Sequence, residues 1–119
     1  LTLENDDKAS MYSVKDLYYG IYKEIGIPIV FDYHHHKFCT GGMSEQEALE
    51  MALSTWGDIK PVTHYSESRR DEQKDETIRV QAHSDYVYDK IEMYGNDFDI
   101  MVEAKAKELA VDRYLELHS

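Results

Sequence analysis

The sequence has few of the residues that form covalent cross-links or span a bilayer. It holds one cysteine, two prolines and six glycines among 119 residues, and no apolar run approaches the roughly 18–20 residues that a membrane span needs. The single Cys39 excludes an intrachain disulfide and a cysteine-rich zinc module. We therefore expect no membrane partner and an intracellular location, which would be the cytoplasm in a prokaryotic or viral setting and the nucleus in a eukaryote.

Basic residues are also scarce. Thirteen Lys and Arg stand against 24 Asp and Glu, which gives a formal net charge of −11. A field of this sign repels the phosphate backbone of nucleic acids. The repulsion is reversed locally where carboxylates bind divalent metal ions, so the positions of the carboxylates decide whether DNA is excluded as a partner.

Four short apolar runs alternate with amphipathic segments along the chain. Capping-box pairs at Ser13 with Asp16 and at Ser44 with Glu47 predict the starts of two helices. A third helix is predicted over 85–94 and a fourth over 104–115, with Ala106, Leu109, Ala110 and Leu115 facing inward, whereas 67–81 is predicted to be an exposed loop. The predicted strands are 1–3, 27–31, 61–63 and 98–102. The order β-α-β-α-β-α-β-α predicts an α/β protein with a parallel sheet.

Residues of the types that bind metals recur where these strands end. Glu4 ends the first strand, Asp32 precedes the histidines at 34–36, His64 ends the third strand, and Glu103 ends the fourth. In α/β barrels the active site forms at the carboxyl ends of the strands. Each carboxylate alone could be a helix cap or an ion-pair partner, and His64 alone could be a core histidine, but the joint pattern favours a metal centre. Mixed oxygen and nitrogen ligands suit Zn²⁺, Mn²⁺ or Fe²⁺.

Several segments together resemble the UV damage endonucleases, which are relatives of endonuclease IV. The segments are Leu3-Glu4-Asn5-Asp6-Asp7, Val30-Phe31-Asp32-Tyr33-His34-His35, His64-Tyr65-Ser66-Glu67, Gln81-Ala82-His83-Ser84-Asp85-Tyr86 and Asp99-Ile100-Met101-Val102-Glu103-Ala104-Lys105. The resemblance extends over essentially the whole chain. It implies four consecutive βα units, strands five to eight, which form the C-terminal half of a (β/α)8 TIM barrel, with residues 1–119 as a single partial barrel domain.

The resemblance also implies a role for each candidate residue. Glu4 would bridge two metal ions, and one of these sites would be completed by Asp32, His64 and Glu103. His35 would join His83 at a third ion. Lys105 and Lys107 follow Glu103 at the start of the predicted last helix, where they are candidates to contact phosphate or to neutralise charge near the metals, with ordinary solvated helix lysines as the alternative. The implied cofactors are divalent ions, Mn²⁺ or Zn²⁺ first and Mg²⁺ next. The implied reaction is attack of metal-activated water on a phosphodiester 5′ to a UV photoproduct in double-stranded DNA. Tyr33 and Tyr65, beside candidate ligands, are also predicted to lie in the site.

Half a barrel would expose two sheet edges and one sheet face. We therefore expect either self-association into a pseudo-barrel or dependence on a missing N-terminal half. The chain begins without Met and holds four βα units, so we also expect a fragment. Two alternatives remain open from sequence alone: a metal-dependent sugar isomerase-type barrel, and a half-barrel that binds metal without catalysis.

Overall fold

A four-stranded parallel sheet forms the centre of the fold, and its strand order follows the chain order. The computed structural model describes residues 1–8 and 10–118. The strands are β1 (Leu3–Glu4), β2 (Ile29–Asp32), β3 (Val62–Tyr65) and β4 (Asp99–Val102). The four predicted strands are thus confirmed, and each begins later in the chain than predicted.

Helical segments follow the strands as the capping signals predict. After β1, a continuous helical segment comprises α1 (Val14–Leu17), a π-helical turn (Tyr18–Tyr22) and α2 (Lys23–Ile25). After β2 come α3 (Tyr33–His36), α4 (Glu45–Leu53) and a 3₁₀ turn (Ser54–Trp56). The last two helices are α5 (Arg69–Gln73) and α6 (Glu108–His118). Both predicted capping boxes are present, at Ser13 with Asp16 and at Ser44 with Glu47.

The register of the strands separates two faces of the sheet. Glu4 pairs with Val30, Asp32 with His64, and His64 with Met101. Because side chains alternate along a strand, the candidate ligands share one face. The side chains between them point to the other face, where they pack against the helices as the hydrophobic core. That core includes Ile29, Phe31, Tyr65, Val14, Leu17, Ala48, Leu49 and Ala52.

The predicted third helix, over 85–94, is wrong. The described residues of this segment form turns and irregular backbone instead. Val87 and Ile91 are buried at helix-like spacing, but the backbone N–H groups of this segment are bound from outside it. Glu72 accepts from Asp85 and Tyr86, and Glu67 accepts from Tyr88 and Asp89. These carboxylates satisfy the donors that a helix would use internally, so an irregular loop is stable here.

The segment over 67–81 is more ordered than predicted. It contains the helix α5, and Ser68 at its start is buried. Two side chains of this helix contact the loop that follows it. Arg69 forms an ion pair with Asp85 at 2.9 Å, and the carboxylate of Glu72 accepts from the main-chain N–H of Asp85. The prediction of an exposed loop failed because these charged side chains have partners distant in the chain.

The last helix begins later than predicted and packs differently. It starts at Glu108 rather than at residue 104, and Ala110 is its one buried residue among those described. Leu109 and Leu115 are 58% and 57% exposed, and Ala106 lies before the helix and is half-buried. The prediction that Ala106, Leu109 and Leu115 face inward is therefore wrong. Backbone bonds from Lys105 and Ala106 to Ser84 and Asp85 fix the turn that precedes the helix.

Substitution of Gly41 with alanine should destabilise the start of α1. Gly41 has φ +62°, and an added Cβ would lie 2.8 Å from the Cβ of Ser13, the capping residue. We expect a loss of about 1–3 kcal/mol in the free energy of unfolding, measured by urea denaturation. Gly42→Ala is the matched control because Gly42 also has a positive φ but faces open space. Equal losses in the two variants would contradict the steric explanation.

Among the described residues, no helix is long and apolar enough to cross a membrane.

Candidate metal centre

Four side chains from the ends of the four strands converge on the open face of the sheet. Glu4 is the last residue of β1, Asp32 the last of β2, His64 lies within β3, and Glu103 directly follows β4. Each offers one ligand atom, and these atoms all lie within 4.8 Å of one another. The structure therefore brings together the four residues that the strand ends indicated.

This convergence requires a strongly curved sheet. Neighbouring strands lie about 4.8 Å apart, so the two edge strands of a flat four-stranded sheet would be about 14 Å apart. Glu4 and Glu103 extend from those two edge strands, β1 and β4, yet their ligand atoms are within 4.8 Å. The sheet therefore curves around the cluster, as the wall of a barrel does.

His64 lies between the two glutamates. Its Nδ1 atom is 3.1 Å from Oε2 of Glu4 and 3.6 Å from Oε1 of Glu103. The hydrogen bond to Glu4 raises the pKa of His64. Burial opposes ionisation of Glu4, but its hydrogen bond with His64 and, after it, the neighbouring Asp32 carboxyl group outweigh this effect and hold the pKa of Glu4 below its usual value. The main-chain N–H of Glu103 donates to the carbonyl of Tyr65 at 2.8 Å, which extends the β3–β4 pairing as far as this ligand.

Asp32 is the most enclosed member of the cluster. Its side chain is fully buried, and Oδ1 accepts a bond from the main-chain N–H of His35 at 2.9 Å, which caps α3. Among the residues that the structure describes, Oδ2 has no hydrogen-bond partner. Burial and, after it, the nearby Glu4 carboxyl group raise the pKa of Asp32 to about 7. A buried carboxylate in this environment is stabilised by a cation.

The donor set fits a divalent metal ion. Oxygen and nitrogen ligands bind Zn²⁺ at about 2.1 Å, so two ligands of one ion are at most about 4.2 Å apart. The four candidate ligand atoms lie within 4.8 Å of one another, which exceeds this distance by tenths of an ångström. Small side-chain rotations would bring them within range of one ion. An ion would also supply the missing partner of Asp32 Oδ2. Three carboxylates and one imidazole match the preferences of Mn²⁺ and Zn²⁺.

Asn5 is a residue of the site that the sequence did not single out. It is 1% exposed, and its side-chain amide forms two bonds with the backbone of Asp32: Oδ1 accepts from N–H at 2.8 Å, and Nδ2 donates to the carbonyl at 3.0 Å. A signal was present in the sequence, because a polar amide directly after a strand-ending carboxylate is well placed to contact the neighbouring strand end.

His35 and His83 lie outside the four-residue cluster. His35 lies beside the cluster, with Nδ1 at 3.7 Å from Glu4 and 3.6 Å from Asp32, and it donates to the carbonyl of Asn5 at 2.7 Å. The ring of His83 instead lies 6.0 Å from that of His34. Within the described part of the chain, the one group of possible ligands contains neither His35 nor His83.

The other predicted site residues lie outside the cluster. Lys105 is exposed, two residues after Glu103. Tyr33 and Tyr65 are buried in the core on the helix-covered face, where their rings pack edge to face at 5.4 Å. Their hydroxyl groups donate to the carbonyl of Glu92 and to the carboxylate of Glu67. Placing these tyrosines in the site was wrong. Tyr65 follows His64 within β3 and so points to the opposite face, and Tyr33, the first residue of α3, is 2% exposed within the core.

Comparison with known proteins gives one consistent result. The family model for the UV-endonuclease UvdE matches residues 1–119. A UV DNA damage endonuclease of Bacillus cereus (strain G9842) is 33% identical over 126 residues, which cover 98% of this chain and 37% of the relative. A UV-damage endonuclease of Schizosaccharomyces pombe is 39% identical over 118 residues, which cover 93% of this chain and 19% of the relative.

A solved structure gives the same match in three dimensions. The crystal structure of SacUVDE superposes with a TM-score of 0.76 at 30% identity, over 98% of this chain and 38% of the SacUVDE chain. Together with the curved parallel sheet, this match shows four consecutive βα units of a TIM barrel, as expected from sequence. The chain spans less than two fifths of the length of these relatives.

Proposed function

The chain belongs to the UV-endonuclease UvdE family, and we propose that it carries part of the metal centre of a DNA repair endonuclease. The reaction is hydrolysis of a phosphodiester on the 5′ side of a UV photoproduct in double-stranded DNA. One observation carries this proposal: a strand-end carboxylate or imidazole from each of four neighbouring strands reaches a common point. The protein would act in the compartment that holds DNA, which is the cytoplasm of a prokaryote or the nucleus of a eukaryote.

We assign Glu4, Asp32, His64 and Glu103 as metal ligands. Glu4 has both His64 and His35 near its Oε2 atom, at 3.1 and 3.7 Å, a position that suits a carboxylate shared by two ions. His35 Nδ1 donates to a carbonyl, which leaves Nε2 as its ligand atom, and His83 would complete a third site with it. When bound, Mn²⁺, Zn²⁺ or Mg²⁺ would polarise the phosphodiester and activate water.

The carboxylates of the cluster place negative charge where a DNA phosphate would approach the proposed metal centre. Three carboxylates in one cluster repel DNA while no ion is bound. Bound divalent cations would reverse the sign of the local electrostatic potential. Lys105 is exposed two residues beyond Glu103 and would contact a phosphate oxygen. The net charge of −11 therefore argues against nonspecific DNA binding across the surface, and for contacts concentrated at the metal centre.

Both edges of the sheet are open, since β1 and β4 each pair on one side only among the described residues. We propose that the remainder of a barrel, supplied by an N-terminal half or by a second copy, pairs with these edges. The proposed activity therefore belongs to the completed barrel.

The test is metal-dependent nicking of irradiated DNA by a completed barrel. A chimera would carry this chain in place of the matching segment of the Bacillus cereus relative, and supercoiled plasmid would be the substrate. We expect UV-irradiated plasmid to be relaxed with Mn²⁺ and to remain intact with EDTA or without irradiation. The Glu4→Gln chimera should be inactive, whereas Glu116→Gln, a change on the exposed side of α6, should match the parent.

Two results would contradict the proposal in different ways. A chimera that binds Mn²⁺ but leaves irradiated plasmid intact would favour the half-barrel without catalysis. Isomerisation of an aldose without nicking would favour the sugar isomerase alternative.

A further inference from the structure

We infer that Asn5 is a positioning residue that fixes two of the proposed metal ligands, Asp32 and His35, before an ion binds. This inference rests on the proposed function and concerns the same site. It concerns a residue that the structure places beside the cluster without making it a ligand.

The side chain of Asn5 extends the sheet beyond the last main-chain pair. The β1–β2 register pairs Leu3 with Ile29 and Glu4 with Val30. Beyond this point the side-chain amide of Asn5 forms the two bonds that the main chain of a neighbouring strand would otherwise form. Its Oδ1 accepts from the N–H of Asp32 at 2.8 Å, and its Nδ2 donates to the carbonyl of Asp32 at 3.0 Å. Both bonds are buried. If they were removed, water could not readily replace them, and the unpaired buried N–H and C=O groups would destabilise the fold.

The same residue also orients His35. The carbonyl of Asn5 accepts from Nδ1 of His35 at 2.7 Å. A carbonyl oxygen only accepts, so this bond places the proton on Nδ1 and leaves Nε2 free as a ligand atom. Backbone carbonyls that accept from the non-ligating nitrogen are a common second contact of metal-bound histidines.

Asn5 therefore connects three candidate ligands. It follows Glu4 in the chain, its side chain holds the backbone of Asp32, and its carbonyl holds the ring of His35. Asp32 in turn accepts from the main-chain N–H of His35. A shift of the Asp32 backbone would move both its own carboxylate and the start of α3.

The amide group is specific to this task. Of the short side chains, only asparagine presents a donor and an acceptor that match the C=O and N–H of a single residue. Aspartate lacks the donor, and leucine, of similar shape, lacks both groups. An apolar residue would leave the N–H and C=O of Asp32 without these partners.

Thr55 provides a matched control at the opposite end of the same strand. Its hydroxyl accepts from the N–H of Ile29 at 2.8 Å and is also buried, and Ile29 is the first residue of β2. Thr55→Val removes a buried side-chain bond to the β2 backbone without approaching the cluster. The comparison with Asn5→Leu separates general stability from positioning.

The experiment measures Mn²⁺ binding to the 119-residue chain by calorimetry, the Mn²⁺ electron paramagnetic resonance spectrum, and Tm in EDTA. We expect both Asn5→Leu and Thr55→Val to lower Tm. Asn5→Leu alone should weaken Mn²⁺ binding by about 10- to 100-fold and change the line shape of the bound ion. If Asn5→Leu does not fold, Asn5→Ser, which removes both bonds but leaves a small polar group, is expected to show the same loss.

The outcomes distinguish this inference from the function on which it rests. If the unmodified chain binds Mn²⁺ and the Asn5 variants bind it equally well with an unchanged spectrum, the inference is overturned and the metal centre stands. If Thr55→Val weakens binding as much as Asn5→Leu, the effect comes from strand stability and the inference is again overturned. If the unmodified chain binds no divalent ion, the metal centre itself is disproved.

Discussion

Replacement of Glu4 with glutamine is expected to weaken Mn²⁺ binding by at least about 100-fold, with the fold intact. Loss of a group that only contacts a ligand already costs 10- to 100-fold in affinity, and Glu4 is proposed as a ligand itself. It contacts His64 directly and faces Asp32 and His35. Glutamine has almost the same volume but no charge, so packing at the end of β1 is preserved.

The measurement is the amount of bound metal after dialysis, by elemental analysis, with circular dichroism as the check on structure. His64→Ala should show a similar loss, because it removes the imidazole that lies between Glu4 and Glu103. Glu116→Gln is the control for loss of one negative charge. Metal content that is unchanged in both Glu4→Gln and His64→Ala would refute the ligand assignment.

Replacement of Asp32 with asparagine should have opposite effects on stability and on metal binding. In metal-free protein above about pH 7 we expect a gain of several kcal/mol in the free energy of unfolding, more than the about 1–3 kcal/mol of a neutral buried polar group without a partner, because the group removed is charged. Asparagine keeps the oxygen that caps α3 through His35, and it removes the buried charge whose Oδ2 has no described partner. Mn²⁺ binding should fall by at least about 100-fold, because the lost charge is that of a ligand.

The pH dependence of this gain identifies its origin. Burial raises the pKa of Asp32 from its ordinary value of 3.8 to about 7 in the folded chain. Between these values the folded state holds a proton that the unfolded state has lost, so this carboxyl group makes the metal-free chain less stable as the pH rises from about 4 to about 7. The gain in Asp32→Asn should be absent near pH 4 and complete above about pH 7.

Urea denaturation in EDTA across this pH range provides the measurement. Asn5 is held by the backbone of Asp32, which the substitution leaves in place, so the strand end should remain ordered. A gain that is the same at pH 4 and at pH 8 would show that the charge of Asp32 is not its cause. A loss of stability at every pH would show that the buried carboxylate already has a stabilising partner.

Local signals in the sequence were sufficient to predict the strands and the starts of the two helices with capping boxes, α1 and α4. A capping box is formed within four residues, so Ser13 with Asp16 and Ser44 with Glu47 specify their helices without tertiary information. Apolar runs such as that around Ile29 and Phe31 likewise reflect burial of consecutive residues in a central strand. The candidate ligands followed from these elements, because parallel strands end at a common edge.

The errors arose where distant residues determine the backbone. Val87 and Ile91 have helical spacing, yet Glu67 and Glu72 bind the N–H groups that a helix would need. Those glutamates belong to a segment whose charge density suggested solvent. No local pattern reveals such partners, since they lie 13 to 22 positions away along the chain.

The other errors at the site also have a structural reason. Tyr65 follows His64 within β3, so the alternation of side chains places it in the core rather than the metal centre. Tyr33 begins α3 after Asp32 and packs against Tyr65 in the same core. Asn5 lies beyond the last residue of β1, where alternation no longer applies. Its two bonds depend on the proximity of β2, which the sequence alone does not specify.

Glu103 follows the last strand of the sheet, so it is the last of the four proposed ligands to be synthesised. A ribosome releases Glu4, Asp32 and His64 well before the strand that precedes Glu103, so an ion captured early would meet only part of its coordination sphere. Tight retention of the proposed ion would then begin only when β4 docks beside β3. Because a ligand that binds only the assembled state shifts the folding equilibrium toward it, ion occupancy would mark molecules in which β4 has joined the sheet.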